Sequence, residues 1–360
     1  MPFYNRERDV SRMLAVLSGE PNLVYFVYGP INSGKTALLN RVFEELDDSY
    51  RVFYINFRGV ETRKYEDFVR AMFQPKDEGL FRRFLKKLDI VDVAIEYAKE
   101  VSGKVNFHFE VPSRLLRLFF NGDERERDCF RYLEELMRSL SEKGYRPVLV
   151  LDEIQMLKEV KRNGPVLHDL FNFLVRMTKE THLCHCLCAT SDCLFIEHIY
   201  ASARLEGRAD YILVDDLDKD EAYVLYEHFG FEDRELVWDY IGGKVGDMVR
   251  LYERKKRGEA EKQALEELKA HEVGKLKELL TVLGYVEGSV TVMGRSIKID
   301  KKRVVETLTL FIDSDTLEKE ALSYPGLLFL VSENILFYNP LTGTVKPQGR
   351  LIWQAIREVV

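Results

Sequence analysis

Short apolar runs alternate with longer amphipathic stretches over the first 215 residues of the chain. The runs are rich in β-branched and aromatic residues, and they cover 22–28, 52–57, 147–151, 183–189 and 211–214. Runs of this length between turn residues are typical of buried strands, whereas the stretches 35–46 and 167–178 have helical spacing. Strands that alternate with helices predict an α/β core domain, 1–215, built on a parallel sheet.

The pattern changes within this core and again after it. Residues from about 60 to 128 are predominantly helical and charged, which predicts a helical insertion. At Asp218 the tetrad DKDE has the spacing of a capping box, so a helix is predicted to begin there, within a small helical lid over 216–258. After further helices, the runs 328–331 and 335–338 are predicted to form a β-hairpin before a final helix. This order is typical of a winged-helix domain, which we place at 259–360.

The composition is that of an ordinary soluble protein, with 46 % apolar and 31 % charged residues among 360. This length favours two or three domains. No apolar run approaches the roughly 18 residues of a membrane span, and the N-terminus has no secretory pattern, so we expect a cytoplasmic protein. A formal charge of −7 argues against attraction of the whole molecule to nucleic acid.

The most informative motif is GPINSGKT, which matches G-x-x-x-x-G-K-[ST] after a predicted strand and before a predicted helix. Glycines allow the loop to turn its N–H groups inward around phosphate, and the helix N-terminus favours the same anion. Lys35 is expected to reach the β- and γ-phosphates, and the Thr36 hydroxyl to bind Mg²⁺. An accidental glycine-rich turn is the alternative. The predicted nucleotide-binding residues are Gly29, Pro30, Ile31, Asn32, Ser33, Gly34, Lys35, Thr36 and Ala37.

A second motif, VLVLDE, is an apolar strand that ends in two acids, Asp152 and Glu153. Because parallel strands end at the same edge of a sheet, Asp152 can stand beside the first loop and take part in holding the metal. Glu153 is then the candidate general base that activates water. A solvated acid after a strand is the alternative for Asp152, and a carboxylate without fast turnover is the alternative for Glu153.

In combination, GPINSGKT and LDEIQ resemble the archaeal ATPase family, a branch of the AAA+ and STAND P-loop proteins. Weaker similarities follow in order along the chain, at 5–7, 189–192, 205–208, 242–243 and 338–356. The resemblance implies an AAA+-like P-loop NTPase fold that binds ATP with Mg²⁺ and hydrolyses it as a switch or remodeller. A slow-turnover nucleotide-binding module and a DNA-binding ATPase akin to replication initiators are the alternatives.

The resemblance also implies roles for single residues. It places Arg6 near the adenine, makes Thr190 or Ser191 the sensor of the γ-phosphate, and assigns Arg208 to the position of an arginine finger. Surface charges are the alternatives for the two arginines, and N-capping is the alternative for the hydroxyl residues. Arg250 stands one residue later than the lid arginine of AAA+ relatives, a rotation of about 100° on a helix, so we do not expect it to contact nucleotide.

The segment HLCHCLC, 182–188, contains three of the five cysteines at alternate positions. On a strand these thiols share one face at steps of roughly 7 Å, which is too far apart for a single tetrahedral zinc. We therefore predict buried, reduced cysteines that pack as small apolar side chains. A metal site is the alternative.

Basic residues concentrate at one place in the predicted winged-helix domain. They are Arg295, Lys298, Lys301, Lys302 and Arg303, and two more, Lys346 and Arg350, follow the presumed wing. A solvated surface and a nucleic-acid contact are the two interpretations. A protein client is equally compatible with the fold, and an arginine finger supplied in trans would require oligomerisation.

Overall fold

The computed structural model describes residues 6–59, 129–158, 166–200, 205–292 and 295–360, together with 65, 68, 72 and 160. A central sheet of five parallel strands has the spatial order β2-β3-β4-β1-β5. Its strands are β1 (Val24–Tyr28), β2 (Tyr50–Asn56), β3 (Arg146–Asp152), β4 (His185–Thr190) and β5 (Ala209–Leu213). The predicted α/β fold with a parallel sheet is confirmed, and the strand bounds agree to within two residues.

Helices cover both faces of this sheet, because each strand turns alternate apolar side chains to opposite sides. The helices of the core are α1 (Glu7–Ser18), α2 (Lys35–Glu45), α3 (Cys129–Glu142), α4 (Val166–Val175) and α5 (Cys193–Tyr200). Buried residues of α1 and α2 pack on one face, and those of α3, α4 and α5 pack on the other. The predicted insertion at about 60–128 lies outside the described residues, apart from three positions.

Three helices follow the core in the segment that was predicted to be a lid, and they are called the lid below: α6 (Lys219–Phe229), α7 (Arg234–Ile241) and α8 (Val245–Lys256). The predicted capping box is confirmed, because Asp218 Oδ1 accepts from Glu221 N at 2.8 Å and Glu221 Oε2 accepts from Asp218 N at 3.2 Å. The turn before α8 needs glycine at Gly243, where a Cβ atom would lie 1.7 Å from the Leu217 carbonyl oxygen. The buried apolar residues of these three helices form a cluster together with four residues from later in the chain, Ala264, Leu265, Leu268 and Leu351.

The C-terminal domain follows the lid. Its elements are α9 (Glu261–Val282), β6 (Gly288–Val292), β7 (Arg295–Ile299), α10 (Lys301–Thr309), β8 (Leu317–Glu318), α11 (Tyr324–Ser332), β9 (Leu336–Tyr338), β10 (Thr344–Pro347) and α12 (Arg350–Val359). The prediction of a strand at 328–331 is wrong, since these residues belong to α11. All four are buried, and a segment that is apolar on every side shows no helical period. The hairpin is formed by β9 and β10 instead, and the hairpin of β6 and β7 was not predicted.

Both tryptophans of the chain lie where the lid meets the C-terminal domain. The guanidinium of Arg350 is 5.6 Å from the ring centroid of Trp238 on α7 and 5.5 Å from that of Trp353 on α12. Arg350 Nε also donates to the Asp239 carbonyl at 3.3 Å. These contacts join the two domains through one cation between two aromatic rings. Among the described residues, no helix combines the length and apolar character needed to cross a bilayer.

Candidate nucleotide-binding site

The loop between β1 and α2, residues 29–34, has the backbone of a phosphate-binding loop. Gly29 has φ 157° and lies so close to β5's end that a Cβ atom would meet the Val214 oxygen at 2.1 Å, and Gly34 has φ 98°. Glycine is the residue type that tolerates both conditions. The hydroxyl of Ser33 is buried and makes no hydrogen bond within the described part of the chain. A buried, unpaired hydroxyl at a helix N-terminus fits an anionic ligand that accepts from it.

Lys35 crosses the inside of this loop. Its Nζ donates to the Gly29 carbonyl at 3.0 Å and to the Pro30 carbonyl at 2.8 Å, and the residue is only 8 % exposed. Burial lowers the pKa of Lys35 to about 8, and the nearby Lys244 cation acts in the same direction. The two carbonyls that accept from this buried ammonium are neutral and do not balance its positive charge. Phosphate oxygens would do so and would stabilise the charged form of Lys35.

Thr36 and Asp152 meet at the carboxyl edge of the sheet. Thr36 Oγ1 donates to Asp152 Oδ2 at 3.0 Å, and Tyr54 OH donates to the same oxygen at 2.5 Å. Asn56 Nδ2 lies 3.4 Å from it as well. The register explains this arrangement, because Asn56 and Asp152 are direct partners at the ends of β2 and β3. A hydroxyl and a carboxylate oxygen in contact form a donor set that suits Mg²⁺.

Glu153 follows in a left-handed backbone conformation with φ 58°. This turn directs its carboxylate back to the sheet edge, where it is 8 % exposed. One oxygen is paired with the guanidinium of Arg58, and the other accepts from Gln155 Nε2 at 2.5 Å. Gln155 Oε1 in turn accepts from Thr190 Oγ1 at 2.7 Å. One hydrogen-bonded chain therefore connects the candidate base to the end of β4.

Two sequence profiles together cover almost the whole chain. One is described as the ATPase domain predominantly from Archaea and matches residues 3–251, which is more than half of the sequence. The chain belongs to the archaeal ATPase family. The second profile, described as the C-terminal domain of uncharacterized MJ1010-like ATP-binding proteins, matches residues 262–360. The family resemblance stated from the sequence is thereby confirmed.

Similar proteins support the same assignment. The uncharacterized ATP-binding proteins MJ0075 and MJ0147 of Methanocaldococcus jannaschii are each 37 % identical to this chain over its full length, which aligns with 99 % and 98 % of theirs. The Walker-type ATPase paby2304 of Pyrococcus abyssi has a similar fold, with a TM-score of 0.62 at 16 % identity over 99 % of this chain and 96 % of that one. The Aeropyrum pernix ORC2 protein gives a TM-score of 0.54 at 12 % identity over 100 % and 94 %.

Arg6 contacts the P-loop from outside the loop. Its Nη2 donates to the carbonyls of Ser33 and Asp215, both at 2.6 Å, and Nη1 pairs with Asp9 at 2.9 Å. The guanidinium is 6 % exposed. Arg6 thereby connects the loop to the segment that follows β5. This structural role was not predicted. The expected position near adenine stays a prediction.

The remaining predicted residues fall in two places. Thr190 is buried at the end of β4 and is connected to Glu153 through the hydrogen bonds of Gln155. Ser191 follows Thr190 and is partly exposed. Arg208 immediately precedes β5, at the sheet edge opposite the P-loop, and is exposed. A five-residue strand separates the two edges by roughly 15 Å. Arg208 therefore does not reach the P-loop of its own chain, and only a second subunit could present it there.

Several side chains of the site were missed in the sequence. They are Tyr54, Asn56, Arg58, Gln155, Lys244 and Gln348. Asn56 could have been found, because it is the one polar residue of the apolar run 52–57, which was predicted to be a strand of the same sheet. Arg250 does not contact the loop and pairs instead with Asp247 at 3.0 Å and Glu272 at 3.2 Å.

The cysteines of β4 pack as predicted for an alternating strand. Cys186 and Cys188 belong to the apolar cluster on one face of the sheet, and Leu187 belongs to the cluster on the other. Burial raises the pKa of the Cys188 thiol far above its usual value. No group of three or more His, Cys, Asp or Glu side chains in the described ranges has the arrangement of a metal site. The described thiols are therefore structural.

We expect His185 to make the free energy of unfolding depend on pH in the acid range. It is 2 % exposed, and neither ring nitrogen has a well-formed hydrogen bond within the described residues. Burial lowers its pKa to about 4, and the Arg146 cation acts in the same direction. A folded-state pKa below the unfolded value means that unfolding takes up a proton, so stability should fall by roughly 2–3 kcal/mol between pH 6.5 and 4.

The variant His185→Leu should lose less stability than the wild-type protein when the pH falls. At pH 7 the substitution should be neutral or stabilising, because it removes unsatisfied polar atoms. Urea unfolding at several pH values measures the effect. His168→Leu, which changes an exposed histidine on α4, is the matched control and should keep the wild-type slope. An unchanged slope in His185→Leu would contradict the assignment.

Proposed function

We propose that this chain binds ATP together with Mg²⁺ and hydrolyses it. The contact between Thr36 and Asp152, next to the buried ammonium of Lys35, is the observation that supports the proposal most directly. Three groups with complementary roles meet where the loop amides converge: a hydroxyl, a carboxylate and a cation. The family of ATPase domains to which the chain belongs, and relatives that are named as ATP-binding proteins, agree with this chemistry.

The roles of the side chains follow from their positions. Loop amides and Lys35 would bind the phosphates, and Thr36 with Asp152 would hold Mg²⁺, which supplies charge neutralisation for the phosphate oxygens. Glu153 would orient a water molecule and accept its proton. Arg58 and Gln155 each take one acceptor position of the Glu153 carboxylate, and its remaining lone pairs would accept from that water. Thr190 would signal through Gln155 whether the γ-phosphate is present.

Arg208 can take part only from a neighbouring subunit. A cation presented in this way would offset charge that develops on the equatorial phosphate oxygens. The specific activity would then rise with protein concentration as subunits associate. In Arg208→Ala, that rise would be lost while nucleotide affinity stays unchanged.

Phosphate release by the purified protein, with Mg²⁺ and with excess EDTA, tests the proposed function. We expect steady release that requires Mg²⁺. Tight nucleotide binding without any release, at all protein concentrations, would instead support a slow-turnover regulatory module in which nucleotide is a long-lived ligand. In that case, hydrolysis and a nucleotide-driven remodelling role would both be abandoned.

Nucleic-acid binding by the C-terminal domain is a second candidate function. The outward face of the β6–β7 hairpin carries only hydroxyls and a lysine, at Ser289, Thr291, Ser296 and Lys298, all of which are exposed. Tyr285 beside it is 86 % exposed. The adjacent first turn of α10 adds three exposed cations, 301–303. Hydroxyls, cations and an exposed ring suit a phosphate backbone better than an apolar protein partner.

The salt dependence of binding to a fluorescent DNA duplex tests this candidate. Affinity should decrease steeply as salt rises. The double variant Lys301→Ala/Arg303→Ala should weaken binding and reduce the salt slope by about one to two phosphate contacts. The pair Lys256→Ala/Arg257→Ala removes two exposed cations of the lid and is the control. Absent binding at low salt would remove DNA as a partner.

A further inference from the structure

One residue of the P-loop, Ile31, is held through its backbone by two other parts of the molecule. The N–H group of Ile31 donates to Gln348 Oε1 at 3.1 Å, and Gln348 follows β10 in the C-terminal domain. The carbonyl of Ile31 accepts from Lys244 Nζ at 2.8 Å, and Lys244 precedes the lid helix α8. Both polar groups of a single loop residue are therefore satisfied from outside the core domain.

The two groups that hold Ile31 are buried and fixed by further contacts. Gln348 is 5 % exposed, and its Nε2 donates to the Leu336 carbonyl at 3.3 Å. Lys244 is 6 % exposed and pairs with Asp216 at 3.2 Å. Gly349 allows them to approach each other, because a Cβ atom there would lie 2.6 Å from Lys244 Cε. Both side chains are therefore already ordered in the folded protein. Unlike mobile surface side chains, they lose little rotamer freedom when they hold the loop.

Neighbouring contacts dock the C-terminal domain onto the same sheet edge. Tyr28, the last residue of β1, donates through its hydroxyl to Asn339 Oδ1 at 2.8 Å, and both side chains are buried. Lys346 Nζ pairs with Asp215 at 2.6 Å, just beyond β5. Gln348 thus reaches the P-loop from a surface that is anchored at the ends of two core strands.

We infer that Gln348 is a positioning residue of the nucleotide site, contributed by the C-terminal domain. By holding the Ile31 N–H group, it fixes the first half of a loop whose next residue, Asn32, has a left-handed φ of 59°. A loop that is ordered before binding loses less entropy when phosphate arrives, which increases affinity. Linkage requires the reciprocal effect, so bound nucleotide stabilises the docking of the C-terminal domain. The inference rests on the proposed binding of ATP.

Calorimetric titration of Mg-ATP into the full-length protein tests the inference. In Gln348→Met, which keeps the side-chain volume and removes the hydrogen bonds, the Kd should rise about threefold to tenfold, the effect of one hydrogen bond. Gln354→Met is the matched control, because Gln354 on α12 contacts the Asp239 carbonyl of the lid and not the P-loop. Its Kd should stay at the wild-type value.

A double-mutant cycle separates positioning from general loosening of the domain. Lys244→Met and Gln348→Met each remove one contact to the backbone of Ile31. The double variant should therefore lose clearly less binding free energy than the sum of the two single losses. Hydrogen exchange of the wild-type protein provides a measurement that needs no variant: the Ile31 amide should be protected although it lies in a loop.

The outcomes distinguish this inference from the proposed function. Absence of Mg-ATP binding by the wild-type protein would overturn both. Equal Kd values for wild type, Gln348→Met and Gln354→Met, additive effects in the cycle, or rapid exchange of the Ile31 amide would overturn the positioning role alone.

Discussion

Glu153→Gln should lower the rate of steady-state phosphate release at least about 100-fold, since a positioned general base contributes factors of 10² to 10⁴. The amide is nearly isosteric and can still contact Gln155, but it cannot accept a proton from water. The P-loop, Thr36 and Asp152 are unchanged, so the affinity for Mg-ATP should stay within roughly threefold of the wild-type value. Phosphate release at saturating ATP, combined with a calorimetric Kd, measures both quantities.

Glu134→Gln is the control for this variant. Glu134 on α3 is also a mostly buried carboxylate paired with arginines, Arg138 at 3.0 Å and Arg176 at 2.8 Å, but it lies away from the loop. Any loss of activity that arises from breaking a buried ion pair would appear there too. Full turnover in Glu153→Gln would remove Glu153 from the role of base.

The second large effect is expected for Lys35→Met, in which the Kd for Mg-ATP should rise roughly 10- to 100-fold, because each hydrogen bond to a charged group contributes about 1.5–3 kcal/mol. The free protein should not lose comparable stability. Burial already lowers the pKa of Lys35 to about 8, so removal of this ammonium relieves a desolvation cost that offsets the lost contacts to two carbonyls.

Lys179→Met is the matched control for that experiment. Lys179 also donates to a backbone carbonyl, that of Gly207 at 2.7 Å, but it is exposed and lies at the opposite edge of the sheet. Its Kd should equal that of the wild-type protein. If Lys35→Met binds Mg-ATP as tightly as Lys179→Met, phosphate is not bound at this loop.

Local sequence pattern was sufficient for the sheet and for the central part of the site. Each strand is a short apolar run between turn residues, and GPINSGKT and LDEIQ are contiguous motifs whose chemistry is carried by neighbouring residues. The capping box at Asp218 is equally local. These features depend on residues within a few positions of one another, so a single sequence contains all the information they need.

The parts that were missed depend on contacts distant in sequence. Tyr54 reaches Asp152 only because β2 is the neighbour of β3, and no pattern in the sequence states that strand order. Gln348 lies 317 positions from its partner Ile31. The prediction of a strand at 328–331 was wrong for another reason. A helix that is buried on all sides lacks the hydrophobic periodicity that distinguishes helix from strand.

The placement of Arg350 between the chain's two indole rings gives this protein an optical reporter that needs no label. Trp238 and Trp353 belong to different domains, so a relative movement of a few ångströms would change the surroundings of both rings and therefore their emission. Mixing with nucleotide in a stopped-flow fluorimeter would then follow the opening and closing of this junction in real time, on the unmodified chain.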